Sequence, residues 1–129
     1  MLPFSLNFRS GVPVFEQVVF AVKKASVAGQ LRPGDAFPSV RVLSQELRIN
    51  PNTAHKVVGA LVAEGLLEVK PGIGTIVARA PAATRAQRRS LLHDEVERLV
   101  VEARKLGLDE QEVVDAVHDR WARLDRGQD

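Results

Sequence analysis

Cysteine and tyrosine are both absent from the 129 residues, and the aromatic side chains amount to five Phe and one Trp. Without cysteine there is no disulfide framework, thiolate nucleophile or Cys-ligated zinc site, which fits a reducing compartment. So few aromatics leave little material for a platform on which single-stranded bases would stack. No apolar run approaches the ~18 residues of a membrane-spanning helix, and the start of the chain lacks the charged lead and apolar middle of a secretory signal. The expectation is a soluble cytoplasmic protein with no membrane partner.

Hydrophobic residues make up 45% of the chain, enough for one small core with an appendage but not for separate cofactor and substrate lobes. The net charge of +2 conceals an asymmetry. Residues 1–80 carry nine Lys/Arg against five Asp/Glu, whereas residues 81–129 carry nine against eleven. A basic front and an acidic back suit a polyanion partner for the front half if its charges share a face.

Apolar residues at Val14, Phe15, Val18, Val19, Val22 and Ala25 have the spacing of a helix with one buried stripe, and Gly29 supplies its stop. The segment 31–38, with Pro33-Gly34 and Pro38, reads as a turn. Ser39 then caps a short helix carrying Val40, Leu43 and Leu47, which ends near Arg48. Asn50-Pro51 is a strong start signal, because Asn caps orphan N–H groups and proline at the first helical position loses no needed donor. A helix over 51–64 follows, with Ala54, Val57, Val58 and Leu61 on one side and Gly65 at its end. Runs 66–70 and 75–78 around Pro71-Gly72-Ile73-Gly74 read as a hairpin.

Two helices joined by a tight turn and followed by a hairpin make a winged helix-turn-helix. If the apolar side of the third helix faces the core, its outer side carries Asn52, His55, Lys56 and Gly59. Asn pairs with adenine at two points in the major groove, Lys reaches guanine or phosphate, and a small Gly59 permits close approach. Thr53 at the helix start suits a phosphate, and Arg41 on the second helix would point to the backbone or a guanine edge. The same polar face also fits an ordinary solvated helix surface.

The stretch PGDAFPSVRVLSQELRINPNTAHKVVGALVAEGLLEVKPGIGTIV, with FRSGVPVFEQVVFAVKKASVAGQL before it, resembles the winged helix of GntR-type bacterial transcription regulators over about residues 4–79. Pro33-Gly34, Pro38-Ser39, Arg41, Asn52-Thr53, Leu61, Gly65, Gly72, Gly74 and Thr75 carry the likeness. The short helical back end is similar to the YtrA-like branch of that family, in which such helices serve dimerisation. The resemblance implies DNA contacts from Arg41, from Asn52, Thr53, His55 and Lys56, and from the wing around Gly72. Asn50, Lys70 and Gly74 complete the candidate DNA-binding set. Wing-tip positions often basic in such proteins are Pro71 and Ile73 here, leaving Lys70 and Arg79 as the nearest cations.

Ala80-Pro81-Ala82-Ala83 is a small-residue linker at the point where the charge balance changes sign. The expected division is a DNA-binding domain over 1–79, a linker over 80–84 and a helical dimerisation segment over 85–129. In the last, Leu92, Val96, Leu99, Ala103 and Leu106 are spaced as a heptad seam closed by Gly107. Asp109 with Glu112 then starts a final helix bearing Val113, Val117, Trp121 and Leu124. These stripes need a partner surface, either a second copy of the chain or its own front half.

The expectation is therefore a mainly α protein with a small β-hairpin wing, acting as a homodimeric repressor on an inverted-repeat operator and needing no cofactor or metal. Two alternatives stay open: a winged helix that binds protein, and a metal-responsive regulator. His93 with Glu97 and His118 with Asp119 are the only hints of an enzyme, and no nucleophile or Gly-rich phosphate loop accompanies them.

Overall fold

The computed structural model describes residues 1–127 and divides into two compact units, one of Met1–Ala80 together with Gly127, the other of Pro81–Arg126. In the first unit, helices α1 (Val14–Val27), α2 (Val40–Leu47) and α3 (Pro51–Ala63) precede strands β1 (Leu67–Lys70) and β2 (Gly74–Val77). Helix α3 is central, packing against α1, α2 and β1. Val18 and Val22 of α1, Leu43 of α2 and Ala54, Val57 and Leu61 of α3 are all completely buried. The α1 stripe is turned slightly from the one the apolar spacing suggests. Val14 is exposed and Phe15 and Val19 are only partly buried, while Ala21 and the polar Gln17 lie inside.

Gln17 is buried because the chain ahead of α1 needs its amide. Its Oε1 accepts from the Arg9 N–H at 2.9 Å, and its Nε2 donates to the carbonyls of Arg9 at 3.0 Å and Val12 at 2.8 Å. A buried amide with three bonds satisfied holds the lead-in segment without an orphaned polar atom. Nearby, Phe4 stacks on Phe37 with ring centroids 6.2 Å apart.

Helices α1 and α3 end as the glycines suggest, in Schellman turns. Gln30 N–H reaches Ala25 O and Leu66 N–H reaches Leu61 O, with Gly29 and Gly65 at positive φ. Helix α2 closes with the same wide bond, Ile49 N–H to Ser44 O, but its left-handed residue is Arg48, at φ 55° and ψ 47°. Arg48 is the one non-glycine residue with positive φ among the described residues.

β1 and β2 pair antiparallel with Leu67 opposite Val77 and Lys70 opposite Gly74. The segment 31–38 is more than the turn its prolines suggest. Ala36 forms a β-bridge with Ile76, Phe37 N–H donates to Thr75 O, and Val77 N–H donates to Asp35 O, so the inner edge of β2 is covered.

In the second unit, α4 (Arg85–Arg89), a π-helical segment (Ser90–Glu95) and α5 (Val96–Lys105) run on as one helix, and α6 (Glu110–Asp125) follows a turn. Thr84 and Gln87 form a reciprocal capping box, and Asp109 Oδ1 accepts the Glu112 N–H at 2.9 Å. Gly107, at φ 77°, closes α5 through Leu108 N–H to Ala103 O. Heptad spacing suggests one uninterrupted α-helix before Gly107. The π-helical turn breaks that regularity and shifts the angular phase of everything before Val96 relative to α5.

Because a left-handed backbone costs an L-residue roughly 1–2 kcal/mol, part of which glycine loses again in the unfolded chain, Arg48→Gly should stabilise the first unit by about 0.5–1 kcal/mol. Urea denaturation checks this, and a midpoint that stays or falls would contradict it.

Candidate nucleic-acid interface

The local chemistry at the start of α3 determines which side chains are available to a ligand. Asn50 Oδ1 accepts the Asn52 N–H at 2.7 Å and Pro51 occupies the first helical position, so the Asn50 side-chain oxygen is committed to the cap. Ala54, Val57 and Leu61 are sealed in the core, and Val58 is buried beside them. Asn52, His55, Lys56 and Gly59 stand exposed on the opposite side, with Thr53 half-buried at the flank. A Cβ built on Gly59 would meet nothing within 4 Å, so internal packing does not require glycine there. Its effect is to keep the outer surface of the helix low.

None of these outward side chains is consumed internally. Lys56 and Arg41 form no ion pair among the described residues, and Asn52, Thr53 and His55 make no side-chain hydrogen bond there. The contrast lies at the other end of the same helix, where Glu64 is paired with Lys23 at 2.8 Å. Arg41 is exposed on the second residue of α2, which Ser39 caps by accepting the Val42 N–H at 3.2 Å. α2 and α3 therefore present one amide, one imidazole and two cations to solvent, a donor-rich set suited to base edges and phosphate.

The wing has a different character. Lys70 lies 4.0 Å from Glu68 on the same strand, a loose pair between half-exposed side chains, so its charge is partly offset. Gly72 and Gly74 have φ of 78° and 115°, values that L side chains rarely adopt, and they make the reversal between the strands possible. Ile73 between them is 74% exposed, leaving the tip apolar rather than cationic.

In the second unit, α5 and α6 enclose an open groove of about 1040 Å³. Of the residues expected in a dimer interface, Val96, Leu99, Ala103, Val113, Val117 and Trp121 line it, and Leu92 and Leu106 do not. Val100, Leu108 and Val114 line it as well. Val100 and Val114 each stand one residue beyond a seam position and Leu108 lies in the turn between α5 and α6, so the seam spacing alone does not select them. Ala103 is the one hydrophobic residue buried in this unit, whereas Trp121 is 68% exposed and Leu99 is 47% exposed. His118 also lines the groove, while His93 is exposed on the π-helical segment. Among the described residues no three His, Asp or Glu side chains come together as a metal site, and no helix is long and apolar enough to cross a membrane.

Residues 15–77 match the model of bacterial regulatory proteins of the gntR family. The HTH-type transcriptional repressor YtrA of Bacillus subtilis is 30% identical over 102 residues, covering 78% of each chain. An uncharacterized HTH-type regulator of the same organism, YhcF, is 27% identical over 86% of this chain and 92% of its own. Among solved structures, a transcriptional antiterminator from Listeria monocytogenes superposes with a TM-score of 0.82 at 22% identity, over 94% of this chain and 91% of that one. YtrA from Sulfolobus acidocaldarius does so at 0.52 and 22%, over 92% and 97%, and these two likenesses speak for the fold. With a capped, outward-facing third helix, a hairpin wing and these relatives in agreement, the chain belongs to the gntR family of bacterial regulatory proteins, as a DNA-binding transcription regulator and not an enzyme.

Proposed function

We propose that the chain represses transcription as a cytoplasmic homodimer bound to an inverted-repeat operator, with α3 in the major groove. Residues 1–79 serve as the DNA-binding domain, 80–84 as a linker and 85–129 as the dimerisation segment. The observation that carries this reading is the outward face of α3, where Asn52, His55 and Lys56 are exposed and make no internal bond. In this assignment Asn52 and His55 read base edges, Lys56 reaches guanine or phosphate, and Arg41 and Thr53 anchor the backbone. The wing around Lys70, Gly72 and Gly74 is the secondary contact, and Asn50 acts through its cap.

The apolar groove between α5 and α6 supports the dimer. A helical hairpin with one buried hydrophobic side chain and Leu99, Val117 and Trp121 exposed gains most by meeting an identical surface, and two-fold pairing presents two reading helices to a palindrome. The name carried by the B. subtilis relative supports repression over activation.

Asn52→Ala is expected to relax preference at one base pair by roughly 1–3 kcal/mol, whereas Lys56→Ala should weaken all sequences and lower the salt slope by about 1. Titrations against the duplex upstream of the protein's own gene and against random duplex distinguish the two. Equal losses on both for Asn52→Ala would remove it from the reading set. Leu99→Lys, at a position already half open to solvent, should leave each chain folded while shifting sedimentation to the monomer and weakening operator binding. A dimer that survives this change would place the interface elsewhere.

A further inference from the structure

Between Glu68 and Asp94 the chain contains no acidic residue, and it carries Lys70, Arg79, Arg85, Arg88 and Arg89. The last three are all exposed on α4, at i, i+3 and i+4, so they share one face. None has an ion pair among the described residues. The arrangement is unfavourable for the helix on two counts. Arg85 repels both Arg88 and Arg89 across one turn, and all three cations crowd the helix start, where the macrodipole is already positive. α4 has no acidic residue in its first turn, and its capping box uses Gln87, which adds no compensating charge where Glu would. A local pattern that weakens its own element without compensation inside the chain points to compensation from outside.

We propose that Arg85, Arg88 and Arg89 form a second phosphate-binding surface, which grips duplex DNA independently of its sequence. It rests on the DNA-binding activity of the first unit, since the linker tethers these arginines to a domain that already holds a polyanion and so meets phosphate at high local concentration. Guanidinium forks match phosphate oxygens at two points, and DNA supplies the negative charge that the 69–93 stretch lacks. The apolar wing tip fits this division of labour. Cations that Pro71 and Ile73 do not provide at the hairpin are present at α4 instead.

The test uses the full chain carrying Arg85→Gln, Arg88→Gln and Arg89→Gln together, titrated against a random-sequence duplex of about 40 base pairs at several salt concentrations. The plot of log affinity against log salt should lose about 2–3 in slope per protomer, and affinity near 0.1 M salt should fall about tenfold or more. Preference for the upstream duplex over random DNA should persist, and the melting temperature should hold or rise as the like charges go. The triple Arg→Lys variant should keep most of the slope. An unchanged slope in the Gln variant would overturn the proposal. A Lys variant as weak as the Gln variant would overturn it too, because charge would then not be the cause. Asn52→Ala separates the readings: it should lose discrimination with the slope intact, whereas the triple Gln variant should lose slope with discrimination intact.

Discussion

The complete burial of one side of α3 is the constraint on which the rest of the first unit depends. A helix can offer a rigid outer face to a ligand only if its inner face is held from several directions, and α1, α2 and β1 supply those directions here. Ala54, Val57 and Leu61 have no exposed surface, so the helix has no freedom to roll. Each neighbouring feature serves that seat. Asn50 and Pro51 set where the helix begins, the Schellman turn at Gly65 sets where it ends, and the Gln17 amide secures the segment ahead of the helix beneath it. Fixing the helix backbone beneath the outer side chains in advance reduces the ordering cost on association.

Much of this was legible in the sequence, and the reason is that it rests on local rules. The caps at Ser39, Asn50 and Asp109 and the stops at Gly29, Gly65 and Gly107 act over a few residues, and the apolar stripe of α3 repeats within a single helix. What escaped depends on distant partners or on breaches of local preference. The β-bridge from Ala36 to Ile76 joins segments forty positions apart, with no pattern of its own in a stretch rich in proline. Arg48 adopts a conformation that its residue type disfavours, so propensity argues against it. The π-helical turn cannot be told from an α-helix by spacing, and Leu92 lies on it, outside the groove that Val100, Leu108 and Val114 help to line. The outward set on α3 was legible because it is the complement of a clear stripe. That Asn50 is committed to its cap, and that Lys70 is shared with Glu68, needed coordinates.

The two units solve the problem of burial in opposite ways. The first closes its core within one chain, down to a polar side chain whose bonds are all met. The second is a helical hairpin with exposed Leu, Val and Trp, whose apolar surface has little cover of its own. In the proposed dimer, the folding of this unit and its assembly depend on concentration together. The open side of the hairpin and the unpaired charge on α4 are the features on which the proposed dimer and the proposed phosphate contact rest.

The outward residues of α3 carry no structural duty, and this makes the scaffold easy to re-address. Asn52, His55 and Lys56 hold nothing in place inside the molecule, and Gly59 has empty space where a side chain would stand. In the proposed assignment, exchange at these four positions alters the address without touching the framework. If α3 reads the operator as proposed, drift in the operator can be followed by drift in the protein one residue at a time, with every intermediate folded.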